Sequence, residues 1–457
     1  MYSFLKQQQA GASIFSIILA VALTGCQSYQ SVPLNSASHS KKWHARSPSD
    51  ENVREFASRI GTTEARQSAF NPDDGITLSE GEVVALVYNA DLRIARLKAG
   101  VAEATAEYAG KWDNPELSLS VLKVTESVPD PWVIGSALSL TIPVSGRLQI
   151  EKLRANAEAH SKLSMVAEHE WKTLADLTQV WLEWSANRLR LEENERVVAS
   201  LNVILDTTEK LAEAGELPRT ESTLFKVEQA SRMADVAQLR GSVDEQEKEI
   251  RALMGLSPNA SIKLIPSFDV VAPAESAKLE DSNTTILRLK SEYEVAELSL
   301  RREIRKQYPD IQLGPQFEKD QGQSQIGLVG GIPIPIFNSN KGGIATARAE
   351  RELARATFEH ALEKTHARLA ILDSRLETVR YRRQLLNESV VPLVDQQIEN
   401  ARKLLEIGEG NSLILLESLI RAHETKLDLI EARLEESVTL SETRHLRGPA
   451  SFPATTL

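Results

Sequence analysis

The sequence predicts a mainly α-helical chain with a small membrane-spanning β part. It is built as two copies of one large unit. Three observations carry this prediction. First, four pairs of segments repeat about 193 residues apart, a spacing far too long for a solenoid and suited to a duplicated large unit. Arg96-Leu-Lys98 faces Arg288-Leu-Lys290, Asn114-Pro-Glu-Leu-Ser-Leu119 faces Tyr308-Pro-Asp-Ile-Gln-Leu313, Pro143 faces Pro335, and Leu211-Ala-Glu-Ala-Gly-Glu216 faces Leu404-Leu-Glu-Ile-Gly-Glu409. Second, each copy turns a corner from an alternating segment into a long helical run, at Ser139-Leu-Thr-Ile-Pro-Val-Ser-Gly-Arg147 and at Ile332-Pro-Ile-Pro-Ile-Phe337. Third, 26% charged and 5% aromatic content with abundant Ala, Leu, Glu and Arg suits long helices.

The net charge of -11 argues against a nucleic-acid partner, because phosphate binding needs a basic patch. At the N-terminus, Lys6 precedes an apolar run from Ala10 to Leu23, too short for a membrane span. It ends Leu23-Thr-Gly-Cys26. This resembles a bacterial lipoprotein signal (residues 1–25), with Cys26 the lipidated residue; the other reading is an ordinary signal peptide with an incidental cysteine. Gln27 after the cysteine implies outer-membrane sorting. Cys26 is the only cysteine, so no disulfide framework is expected. Residues 26–74 read as a tether with one short helix near Asn52 to Ile60.

The first unit spans 75–255. Thr77-Leu-Ser-Glu80 has helix-start character, and Val83, Val84, Leu86, Val87, Leu92, Ile94 and Leu97 have helical spacing. A break is expected at Asn89-Ala-Asp91. Glu116 to Val124 alternates, with Leu117, Leu119 and Val121 on one face; Ile134 to Ile142 alternates again. Each strand is about nine residues, the length a tilted strand needs to cross a bilayer. Trp112 and Tyr308 lie beside strands in the two copies, as in an interfacial belt; a soluble hairpin is the alternative. Ser145 to Leu217 contains no proline, and about 70 helical residues would make a rod of roughly 100 Å. Leu174, Leu177, Trp181, Trp184, Leu191, Val198 and Leu205 follow heptad spacing, a seam that packs on another helix. Gly215 and Pro218 turn the chain into a return helix from Arg219 to Met254. That helix is half as long, so the helix before the strands must cover the remainder.

A proline-rich connector, 256–283, has one short β segment at Ser261 to Ile265. The second unit spans 284–443: a helix from Thr284 to Lys306, strands at Asp310 to Glu318 and Gln325 to Ile334 around the turn Lys319 to Ser324, a long helix from Lys341 to Ile407 kinked by Pro392, a turn at Gly408, and a last helix from Ser412 to Thr443. Residues 444–457 read as a tail. Four strands per chain are too few for a barrel, and open edges are forbidden in lipid. Three chains give twelve strands, with twelve long helices continuing the barrel as a hollow cylinder, an ordinary cyclic arrangement.

The sequence resembles the TolC-like outer membrane factor family. The resemblance rests on Thr77-Leu-Ser-Glu80, Asn114-Pro-Glu-Leu-Ser-Leu119, the corner Ile332-Pro-Ile-Pro-Ile-Phe337 with Gly342-Gly-Ile-Ala345, and the Gly-Glu turns at Gly215 and Gly408. The Asn-Pro-Glu-Leu strand and Pro-Ile-Phe-Asn corner look most like the CzcC- and CusC-like branch that serves heavy-metal efflux. The resemblance implies a homotrimeric channel-tunnel in the outer membrane, docked through a periplasmic adaptor to an inner-membrane pump of the RND type. It implies a passive duct; no cofactor is expected, since the sequence has no P-loop and no Cys/His cluster. Its strand-to-helix corners are Pro143, Pro333 and Pro335. The family closes its periplasmic end at the helix tips with acidic residues. Here the gate and tip candidates are Glu221, Glu417, Gly215 and Gly408; the two acids read otherwise as surface acids, and the counterpart positions Leu224 and Ile414 are apolar. His169-Glu170 begins a zincin-like pattern, but Thr173 stands where the second histidine is required; with no metal cluster or nucleophile motif, no enzyme is expected. A lipid-anchored periplasmic coiled-coil scaffold is the rival reading, and it leaves the paired strand hairpins unexplained.

Overall fold

The computed structural model describes residues 29–60, 70–215, 217–271, 278–406 and 411–449. The chain divides into two units, Met1–Ala45 and Arg46–Leu457. In the first, helix α1 (Ser36–His44) is capped by Asn35, whose side chain accepts from the Ser38 N–H at 2.9 Å. Cys26 lies outside the described residues.

The second unit begins with α2 (Glu51–Ile60), α3 (Leu78–Tyr88) and α4 (Ala90–Tyr108). The α3 start is a capping box: Thr77 accepts from the Glu80 N–H, and the Glu80 carboxylate accepts from the Thr77 N–H at 2.9 Å. The expected break falls at Asn89, which closes α3 and caps α4 by accepting from the Asp91 and Leu92 N–H groups. β1 (Glu116–Lys123) and β2 (Trp132–Ile142) follow, then α5 (Arg147–Glu213) and α6 (Arg219–Leu253). α5 has 67 residues, about 100 Å at 1.5 Å per residue. The second repeat runs α7 (Leu279–Ser282), α8 (Thr284–Arg305), β3 (Ile311–Asp320), β4 (Gln323–Gly331), α9 (Lys341–Leu385), a π turn (Leu386–Val390), α10 (Val391–Glu406) and α11 (Ser412–Arg447).

As length required, α5 is covered by α4 on the strand side and by α6 beyond it; α8 and α11 do the same for α9. The main core joins the heptad seam (Leu177, Trp181, Trp184, Leu191) to α3 and α6 through Val84, Ile250 and Met254. Trp181 and Trp184 meet edge-to-face at 5.8 Å. Where α4 meets α5 the seam narrows to Ala106, Ala155 and Ala159, small side chains that let two helices approach closely. Gly255 (φ +72°) is a second tight approach, since a Cβ there would stand 2.2 Å from the Tyr88 carbonyl oxygen.

Several expectations are corrected. Residues 46–60 are not tether: Val53 is fully buried in the main core, the Arg46 guanidinium donates to the Gly255 carbonyl at 2.6 Å, and the Tyr88 hydroxyl donates to Asp50 at 2.5 Å. The β segment at Ser261 to Ile265 is a single parallel bridge, Ile76 to Leu264. β4 ends at Gly331 rather than Ile334, because Pro333 and Pro335 have no N–H to give a ladder. The turn expected over Lys319 to Ser324 tightens to Gln321-Gly322, both at positive φ (46° and 81°), the two-residue hairpin whose twist matches the strands. Pro392 does not interrupt an α-helix. Its ring would clash with the carbonyl four residues back, at Glu388, and that residue lies in the π turn that opens the preceding helix. The last helix passes Thr443 and ends at Arg447, capped by Gly448 (φ +82°), since no breaker precedes that glycine; residues 450–457 of the expected tail lie outside the described residues. Gly408 and Ile407 lie outside the described residues.

Candidate channel wall and periplasmic tips

The four strands form one antiparallel sheet in the order β1-β2-β3-β4. Directly paired residues share a face, so the register sorts every side chain. Leu117↔Leu138, Val121↔Ile134, Leu140↔Leu313, Phe317↔Ile326 and Pro315↔Leu328 put one continuous apolar surface on one side. Ser118↔Ala137, Ser120↔Gly135, Thr141↔Gln312, Gln316↔Gly327 and Glu318↔Gln325 put small and polar residues on the other. At Gly314 β3 lies close against β2; a Cβ there would stand 1.6 Å from the Leu138 carbonyl oxygen. Aromatic residues flank the apolar band. Trp132 stands at the loop end with Lys123 over its ring at 5.6 Å, and Trp112, Tyr108 and Tyr308 are exposed at the helix end. β1 and β4 have free edges, and every residue of both is exposed.

The corners at Pro143, Pro333 and Pro335 are pinned from both repeats. Arg147, at the start of α5, donates to Asp310 at 2.9 Å and to Asp113 at 3.2 Å. The α5 N-terminus has Gly146 at φ +69°; its counterpart at α9 is Asn340 at φ 58°. The Asn340 side chain donates to the Glu303 backbone carbonyl at 2.8 Å and to its carboxylate at 2.9 Å. Burial pushes the Glu303 carboxyl up, but hydrogen bonds from Lys306, Asn340 and Arg302 outweigh it and hold it down at about 2.

At the opposite end, Gly215 (φ +79°) closes α5, and Glu221 stands in the first turn of α6. The Ser412 hydroxyl, at the start of α11, donates to the Glu221 carboxylate. Glu221 therefore ties the tip of the first repeat to that of the second. Glu417 does not join it: its side chain is 74% exposed and stands 3.9 Å from Arg421. Leu224 and Ile414 are exposed as well. A small core of Leu201, Leu205, Phe225, Leu416 and Leu419 fastens the three tip helices behind these residues. Ser412 was missed from sequence; its only signal is the cap Asn411 beside it, which accepts from the Leu413 N–H at 2.8 Å. Further from the tip, an Arg/Glu ladder locks α9 to α11 through Arg368–Glu442, Arg375–Glu435 and Arg380–Glu436. Among the described residues no helix is long and apolar enough to cross a membrane, and no group of His, Cys, Asp and Glu could hold a metal ion.

Residues 83–256 match the outer membrane efflux protein family. The cobalt-zinc-cadmium resistance protein CzcC of Cupriavidus metallidurans is 23% identical over 238 residues, covering 50% of this chain and 55% of that protein. The match thus spans about half the length of that curated relative. Among solved structures, the outer-membrane channel OprN superposes with a TM-score of 0.72 at 15% identity, covering 93% of this chain and 99% of its own. VceC of Vibrio cholerae gives 0.70 at 18% identity over 81% and 96%, and CusC 0.69 at 16% over 84% and 95%. Residues 83–256 are thus similar to the outer membrane efflux protein family, and the chain shares the fold of these solved channels.

Proposed function

We propose that the protein is the outer membrane channel of a tripartite efflux system, a passive duct for solutes delivered by an inner-membrane pump through a periplasmic adaptor. The observation that carries this reading is the sheet, with one apolar face, one polar face and two free edges. An open edge is not viable in lipid, and a closed barrel is the β structure that spans it. Three chains pairing β4 with the next β1 close twelve strands, the apolar face toward lipid and the Ser/Gln/Gly face toward water. A coiled-coil scaffold has no use for such a sheet. Cys26 is the lipid anchor, and Gln27 directs it to the outer membrane. Glu221 and Glu417 belong to the periplasmic gate, Glu221 as a latch to Ser412 and Glu417 as an open acid at the pore entrance, favouring cations. The resistance protein CzcC supports metal cations as the exported class.

Planar-bilayer recording tests the gate. Glu417→Ala should raise leak conductance or alter cation blockade, and Ser412→Ala should raise the open fraction by releasing Glu221. Currents unchanged in both variants would remove these residues from the gate. Growth of a deletion strain on zinc, cobalt and cadmium salts, with and without the intact gene, tests the cargo; equal tolerance would discard the metal assignment.

A further inference from the structure

A lateral cavity of about 340 Å³ opens at the foot of the sheet, at the corner where strands give way to helices. Val144, Ile311 and Ile332 supply apolar walls, and Ser145, Arg305 and Tyr308 supply polar ones. Ile311 pairs with Ile142, and the exposed Ile332 directly follows the last residue of β4, so the cavity adjoins the surface assigned to lipid. The Ser145 hydroxyl accepts from the Arg147 N–H at 3.3 Å, but the other two polar groups are unspent. Arg301 pairs with Glu297, and Arg302 and Lys306 pair with Glu303. Arg305, the last residue of α8, is exposed and has no ion-pair or hydrogen-bond partner for its side chain among the described residues, and neither has the Tyr308 hydroxyl. The nearby acids are engaged: Glu303 by three donors, Asp113 and Asp310 by Arg147. Arg305 is the one charged residue lining the cavity, beside a phenol and an apolar wall.

We propose that this cavity is a phospholipid site. Arg305 and Tyr308 donate to the headgroup phosphate, and an acyl chain lies along Val144, Ile311 and Ile332. The proposal rests on the bilayer reading of the sheet. That reading places the corner at the periplasmic leaflet, where basic pockets at the interface recruit anionic headgroups. A guanidinium offers a planar fork of donors to phosphate oxygens, while a tyrosine suits a site that is apolar on one side and wet on the other. Since no carboxylate lines the cavity, nothing in its wall favours a cationic choline or ethanolamine group, and the site selects an anionic lipid such as phosphatidylglycerol.

The test uses the full-length protein, delipidated in detergent and reconstituted into phosphatidylcholine vesicles containing a small fraction of phosphatidylglycerol. After insertion is checked by protease protection and the protein is re-extracted in mild detergent, co-purified lipids are counted by mass spectrometry. Wild type should enrich phosphatidylglycerol over its bulk fraction. Arg305→Gln should lower that enrichment about tenfold, the scale of one charge-assisted contact. Tyr308→Phe should lower it a few-fold, and Arg301→Gln on the same helix should leave it unchanged. High inorganic phosphate should not displace the lipid. Equal enrichment in wild type, Arg305→Gln and Tyr308→Phe overturns the proposal. So does displacement by inorganic phosphate, which would make this a free-anion site. Failure to insert overturns the bilayer reading as well, whereas insertion without selective enrichment overturns the lipid site alone.

Discussion

Glu82 and Arg444 lie at opposite ends of the chain, yet the Arg444 guanidinium donates to the Glu82 carboxylate at 2.9 Å, with the two side chains only 2% and 14% exposed for acid and base. The pair fastens α11 to α3. Removing one partner of a buried pair is costly, so Arg444→Met should destabilise the protein by about 3 kcal/mol, read as a lowered midpoint in denaturant. His423 is a second buried polar group between α6 and α11, with Nε2 facing the Arg232 guanidinium at 3.3 Å. Burial, then the Arg232 charge, lowers its pKa from 6.5 to about 4 despite Glu228 and Asp235 nearby. The folded state therefore binds this proton less readily than the unfolded chain. The stabilisation is complete above the unfolded value of 6.5 and is lost as pH falls toward 4. Thermal unfolding between pH 7 and 4.5 should show this loss, and His423→Gln should flatten the profile; an unchanged slope would assign it to carboxylates instead. Neither residue could be read from sequence, because each depends on which distant helix arrives beside it.

At the scale of elements, what could be read follows from periodicity. The α5 seam was legible because heptads persist for turn after turn, and β1 and β2 because alternation survives over eight residues or more. Boundaries were less legible, since they depend on local backbone chemistry. Asn340 takes the left-handed position that Gly146 holds in the first repeat, so the repeat is conserved in conformation and hidden in residue type. The π turn before Pro392 needs a three-dimensional backbone to be seen at all. Gly314 gives the sharpest element-level prediction. Gly314→Val would drive a side chain into the Leu138 carbonyl and separate β2 from β3. The expected outcome is loss of membrane-inserted protein with the helical circular-dichroism signal retained; normal insertion would count against the close strand approach.

For the whole molecule, the duplication was the most legible feature, since large matched offsets survive wherever local details drift. Closure is expected only from arithmetic on strand number, because an edge is a property of the assembly. Single-particle imaging of the extracted protein should show a three-fold hollow cylinder at least roughly 100 Å long, the length that α5 dictates; a solid rod or a monomer would return the scaffold reading.

The loops opposite the helices are short: residues 124–131 between β1 and β2, closed by a hydrogen bond from the Val124 N–H to the Pro131 carbonyl, and two residues between β3 and β4. None is long enough to fold inward as a cork. On the proposed channel reading, the outward mouth would be left uncorked, and exclusion of detergents and bulky antibiotics would fall to the far end, where Glu221 and Ser412 meet. On the same reading, the brevity would leave little of the protein outside the cell for a phage or an antibody to grip.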